Sequence, residues 1–184
     1  ALHLATFITK QQVVEVAADR QIFVKGRLLE DNAHVLLRFE KGASGYLWAS
    51  GVAVGQRHGL AIRIFGTKAG IKWHQEQPNQ ILFSQLGKTP QTLELDSPEL
   101  HTPARRLLRV GAGHPEGYFE AFTNIYSDFA EALLAKIYGE IPDHLCLDFP
   151  TLEDGARGVK FIEACVESAE NNSCWVNSVL DFSK

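Results

Sequence analysis

The chain contains no methionine, only three cysteines and no long apolar run. Each absence excludes something. Cys146, Cys165 and Cys174 are odd in number and form no C-x-x-C pair, so they make a poor disulfide framework and a poor thiolate zinc site. Free thiols of a cytoplasmic protein fit them better. Apolar stretches such as 35–37 and 132–135 stop far short of the roughly 18 consecutive apolar residues of a membrane-spanning helix. No charge of one sign dominates: the net charge is −4, with lysine and arginine scattered, which argues against a dedicated nucleic-acid surface. The missing methionine includes an initiator. The opening ALHLATFITK reads as a helix in mid-course, and without a basic leading region it is not a signal peptide. The expectation is a chain that starts inside a larger protein; the alternative is a processed N-terminus.

What is present is ordinary for a globular domain: 184 residues, 45% hydrophobic and 22% charged, enough for one good-sized core. Period-2 alternation predicts strands at 13–18, 33–40, 44–54, 60–65, 71–75, 81–86 and 92–95, with a short one or an extended tail at 173–177. Tight glycine turns between neighbours, such as the hairpin at 66–70, predict antiparallel pairing. Several strands are apolar on both faces, with Leu36 beside Val35 and Leu47 beside Trp48. A sheet with one solvated face alternates more cleanly, so both faces should be covered, one by helices and the other by a further subunit or domain. Residues 97–113 read as loop. A helix over 116–138 carries Tyr118, Phe122, Ile125, Phe129, Leu133 and Ile137 as its stripe, with Pro115 at its first turn. A second, over 152–171, starts at a Thr151–Asp154 capping box and carries Leu152, Ala156, Val159, Ile162, Val166 and Ala169. The fold class is α+β: an open, predominantly antiparallel sheet with helices on one face and the other face available for subunit packing.

Three places could carry chemistry. Gly111-Ala112-Gly113-His114-Pro115-Glu116-Gly117 has the spacing GxGxxxG rather than GxGxxG, a proline in the turn and no βαβ context, so it is a poor dinucleotide fingerprint. As a loop entering a helix it offers unpaired N–H groups to a polar ligand, with His114 at the mouth and Glu116 in the first turn, or else both residues cap the helix. Gln56 and His58 lie between two strands, either as a binding loop or as a solvated turn. His3 sits on the opening helix, where a structural role competes with a binding one. Trp48 and Trp73 lie on strands, where packing is the default.

The order of "GASGYLWASGVAVGQRHGLAIRIFGTKAGIKW", "GHPEGYFEAFTNIYSDFAEAL" and "FPTLEDGARGVKFIEACVESAENNSCWV" resembles the C-terminal domain of the Gfo/Idh/MocA oxidoreductases, and the resemblance covers nearly the whole chain. It implies that residues 1–184 are a substrate-binding and oligomerisation domain, joined in full-length members to an N-terminal Rossmann domain that is absent from this chain. It further implies NAD or NADP as the cofactor of the full-length protein, with none bound by this chain alone, a sugar or polyol substrate, and a homo-oligomer through the open sheet face. No membrane or nucleic-acid partner is expected. The family's catalytic lysine and its Asp-x-x-x-His motif fall outside the chain, the histidine just before Ala1, so no catalytic residue is expected here and the chain alone should not turn over. His114, His58, Gln56, Glu116 and His3 are the expected substrate contacts. Two other readings compete: a stand-alone binding or scaffold protein without catalysis, and a metal-dependent sugar isomerase or hydrolase that would need His58, His74 and His114 close together.

Overall fold

The computed structural model describes residues 1–95, 97, 98, 100–111 and 113–181. In chain order the elements are α1 (Leu2–Thr9), β1 (Val13–Gln21), β2 (Asn32–Phe39), β3 (Ser44–Ser50), β4 (Ala61–Phe65), β5 (Ala69–His74), β6 (Gln80–Gln85), β7 (Gln91–Glu94), α2 (Thr102–Arg105), α3 (Tyr118–Tyr138), a 3₁₀ turn (His144–Leu147), α4 (Leu152–Glu170) and β8 (Val176–Asn177). The α+β class and the antiparallel pairing are as expected. The strands divide into two four-stranded sheets, ordered β3-β2-β1-β8 and β4-β5-β6-β7, and the chain forms two compact units, 1–56 with 150–184 and 57–149.

In the first unit α4 packs on β1 over a core of Val13, Val16, Ala18, Val35, Leu37, Phe161, Ala164, Cys165 and Val176. A bulge between Val13 and Glu15 puts two residues of β1 against one of β2. Val13 and Val16, three apart, therefore both reach the core, which strict alternation forbids. The buried face of α4 is Phe161, Ala164, Cys165 and Ser168. This corrects the expected stripe, of which Leu152, Val159 and Ile162 are 92%, 59% and 60% exposed. Counting apolar residues missed the face because a serine completes it. Ser168 Oγ accepts from the Ala18 N–H at 2.8 Å and donates to the Cys174 carbonyl at 2.5 Å, which makes its full burial tolerable. Burial raises the Cys165 thiol to about 11, so it packs as an apolar group. At the start of α4 the capping box forms: the Asp154 N–H donates to Thr151 Oγ1 at 3.2 Å, and the Thr151 N–H donates to Asp154 Oδ2 at 2.8 Å. On the sheet face away from α4, cross-strand register aligns Leu36 with Tyr46 and His34 with Trp48. Leu36, Tyr46 and Trp48 are 54%, 60% and 50% exposed.

In the second unit the four strands form a simple meander. The stretch expected as loop holds α2, and α3 begins at Tyr118 rather than Glu116. Its expected stripe is a second correction: those six residues are 43% to 68% exposed, and among the described residues of α3 only Asp128 and Ala135 are buried. Two carboxylates, Glu116 and Asp128, are buried in this unit beside Ala135 and Cys146. Arg106 grips both carboxylate oxygens of Asp128 at 2.8 Å and also donates to the Leu145 carbonyl, tying α2, α3 and the 3₁₀ turn together. α3 ends at Gly139, whose φ of 72° is the left-handed conformation that a side chain resists.

Candidate functional site

The loop before α3 is fastened by side chains. Asn124 on α3 donates to the Leu107 carbonyl at 2.8 Å and accepts from Arg109 Nε. The Glu116 carboxylate, in a residue only 9% exposed, accepts the N–H groups of Arg109 at 2.8 Å and Val110 at 3.3 Å. Neither Glu116 nor His114 caps the helix. That task falls to Glu120, which accepts the Gly117 N–H at 2.8 Å, a bond that holds its carboxyl below the usual range. Glu116 is therefore the loop's internal clamp.

Gly113, at φ 78°, lets the loop reverse so that the His114 N–H meets the Gly111 carbonyl at 3.2 Å. His114 Nδ1 lies 3.1 Å from the same oxygen. A carbonyl only accepts, so that contact places a proton on Nδ1. Asn79, Gln80, Glu94 and Leu95 from β6–β7 and its margins line a cleft together with His114 and Glu116. Gln80 and Glu94 face each other across the strands, bonded at 3.2 Å. Sequence reasoning missed these strand residues, since only the pairing register brings them beside the loop. Ala112 of the expected motif lies outside the described residues.

The other candidates, His58, Gln56 and His3, are not among the residues that line this cleft. His58 Nδ1 is 3.3 Å from Gln75 Nε2, and the neighbouring Gly59 N–H meets Glu76 at 3.3 Å. Gln56 ends the first unit with its N–H on the Ala53 carbonyl at 3.1 Å. His3 stacks on Phe7 with ring centroids 6.2 Å apart. It also faces the start of α4: the Asp154 carboxyl is held low chiefly by the Thr151 N–H and hydroxyl, with a smaller contribution from His3. Thus the second unit brings His114 and Glu116 together and holds His58 on its own loop, while Gln56 and His3 belong to the first. Among the described residues no group of three or more His, Cys, Asp or Glu is placed to hold a metal ion, so His58, His74 and His114 do not form the cluster that an isomerase or hydrolase reading needs. Among the same residues no helix is long and apolar enough to cross a membrane.

Known proteins agree with this architecture. The chain is 41% identical over 168 residues to YfiI, an uncharacterized oxidoreductase of Bacillus subtilis (strain 168), covering 91% of this chain and 43% of that one. It matches the crystal structure of an oxidoreductase from Sinorhizobium meliloti at 42% identity and a TM-score of 0.90, over 95% of this chain and 49% of the other. It matches an inositol dehydrogenase homologue from Azotobacter vinelandii, solved with NADH and myo-inositol, at 40% identity and a TM-score of 0.87, over 96% and 47% of the two chains. The chain thus spans about half the length of these relatives. Residues 4–177 match the Gfo/Idh/MocA signature described as "Oxidoreductase family, C-terminal alpha/beta domain", and the chain belongs to that family.

Proposed function

We propose that this chain is the substrate-binding and dimerisation half of a cytoplasmic NAD(P)-dependent dehydrogenase that acts on a CH–OH group of a sugar or polyol, a pyranose or a cyclitol. The observation that carries the reading is the 40% identity to the Azotobacter vinelandii inositol dehydrogenase homologue whose structure holds NADH and myo-inositol. Every strand pair among the described residues is antiparallel, so the parallel βαβ cradle of a dinucleotide is not built from them. NAD or NADP belongs to the other half of the longer protein and supplies the hydride acceptor when bound. The residues here bind and orient. A polyol hydroxyl both donates and accepts, and the His114 ring, oriented by its Nδ1 contact with the Gly111 carbonyl, is its proposed partner at the cleft mouth. Glu116 fixes the loop that carries it. The exposed Leu36, Tyr46 and Trp48 on the outer face of the first sheet suit packing against a second copy.

The test is turnover and isothermal titration of the longer protein with NAD⁺ and myo-inositol. His114→Ala should weaken polyol affinity about tenfold, the worth of one hydrogen bond, with the melting temperature unchanged. Unchanged affinity removes His114 from the site. Binding without turnover of any polyol returns the chain to the non-catalytic binding protein.

A further inference from the structure

The cleft that holds His114 carries acidic charge without basic charge. Glu94 and Glu116 line it, and among the described residues no lysine or arginine does. The two carboxylates are placed differently. Glu116 is buried and its oxygens accept the Arg109 and Val110 N–H groups, so it belongs to the loop. Glu94 is exposed at the end of β7. Its Oε1 accepts the Gln80 side-chain amide at 3.2 Å, and no other described residue bonds the carboxylate. The backbone beneath it is fixed. The Glu94 N–H donates to Ser97 Oγ at 2.9 Å, and the Ser97 N–H returns to the Glu94 carbonyl at 3.0 Å. Gln80 stands directly opposite on β6. A side chain seated on paired strands holds its direction better than one on a loop. Leu95, Leu108 and Val110 add an apolar wall, and the cleft volume is about 140 Å³. A cavity of roughly 150 Å³ takes one benzene ring.

We propose that Glu94, braced by Gln80, is the specificity-determining residue of this cleft: it takes hydroxyls of a neutral single-ring polyol and rejects rings that carry a carboxylate or a phosphate. The proposal rests on the dehydrogenase reading and narrows its substrate class. A carboxylate only accepts, and its two oxygens suit two hydroxyls on neighbouring carbons. One Gln80 amide hydrogen goes to Glu94, and the amide carries a second that suits a hydroxyl oxygen. The C–H groups of the ring then pack on Leu95, Leu108 and Val110, the usual division of a small-molecule site into apolar wall and few polar groups. An anionic substituent meets the Glu94 carboxylate instead, with no described lysine or arginine in the lining to offset the repulsion. Size sets the other limit, since the cleft falls well below the roughly 300 Å³ at which pockets for larger ligands begin. The competing account is a plain cross-strand contact, in which Gln80 and Glu94 hold β6 to β7 and touch no ligand. A purely structural pair does not sort ligands by charge, so charge discrimination separates the two.

The test is isothermal titration of the longer protein with matched pairs, myo-inositol with its monophosphate and D-glucose with D-glucuronate. Wild type should bind the neutral member of a pair about tenfold more tightly, or better. Glu94→Gln keeps an acceptor for Gln80 and removes the charge, so it should cut that preference by about fivefold or more. Raised salt should narrow the wild-type preference, because screening weakens repulsion between exposed charges. Wild type that binds the anion as well as the neutral ring overturns the proposal, whether or not the variant folds. So does a preference that salt leaves alone, a Glu94→Gln protein with the preference intact, or one whose only change is a lower melting temperature. The two ideas fail separately. Charge-selective binding without turnover of any polyol keeps the role of Glu94 and removes the dehydrogenase. Polyol oxidation with a preference that ignores Glu94 does the reverse. Binding of neither member of either pair overturns both.

Discussion

The two units of this chain hold themselves together by different means. In the first, an amphipathic helix closes over a sheet, and nine residues share one apolar core. In the second, the longest helix keeps its large side chains in solvent, and a bidentate Arg106–Asp128 pair does the joining. The first is built as a folding unit. The second presents surface, and the candidate site lies on it. Where a domain must meet a partner, apolar residues are withheld from its own core, and directional polar bonds fix the geometry instead.

The largest effect should come from Phe161, in the core of the first unit. Phe161→Ala should cost about 4 kcal/mol, as buried aromatic truncations do, and denaturant titration of the chain measures it. A loss under about 1 kcal/mol would mean that the first unit is not the cored one. Next comes the tie of the second unit. Asp128→Ala removes the carboxylate paired with the Arg106 guanidinium and leaves the Leu145 carbonyl and the more distant charges of Glu131 and Asp143. The Asp128 and Arg106 side chains are 11% and 24% exposed, so the cost is set below that of a fully buried pair, at about 2 kcal/mol. If Asp128→Ala proves neutral, the polar tie is not what holds α2, α3 and the 3₁₀ turn together.

A smaller effect, with a pH signature, belongs to the α4 cap. The Thr151 N–H and hydroxyl lower the folded Asp154 carboxyl below its unfolded value. Its contribution is therefore complete above the unfolded pKa of about 3.9 and lost as pH falls through the lowered folded value. Asp154→Asn should cost about 1 kcal/mol at pH 7, and wild type and variant should converge in stability under strongly acid conditions. A gap that stays constant with pH would exclude the carboxylate as its source.

How much of this was legible in the sequence follows from what each feature depends on. Alternation and glycine turns located the strands and their antiparallel pairing, because both are local. The Thr151–Asp154 cap was legible for the same reason. The buried face of α4 was misread because Ser168 does not register as a core residue until a strand N–H and a carbonyl are found beside it. The division into two sheets and the Gln80–Glu94 side of the cleft depend on pairing between distant residues, which no local pattern encodes. His114 and Glu116 stood out in sequence, but their division of labour did not: only geometry shows Glu116 spent on two N–H groups and Glu120 taking the cap.

The weakest expected substitution is the most informative about the comparison. Phe122 lies in the stripe of α3 that periodicity marks as core, and it is 46% exposed. Phe122→Ala in this chain should therefore cost only about 0.5–1 kcal/mol, a small fraction of the value for Phe161, since little apolar surface leaves a buried environment. Helix propensity works in its favour, because alanine is the better helix former at an exposed position. In the longer protein the same substitution costs several times more if a partner surface covers the ring there. Denaturant titration of Phe122→Ala in both contexts compares the two directly. Equal small losses would leave α3 a solvent-facing helix in both settings. Equal large losses would mean that the ring already belongs to a core within this chain. Only a loss that grows with the second half present fits a surface kept apolar for a partner.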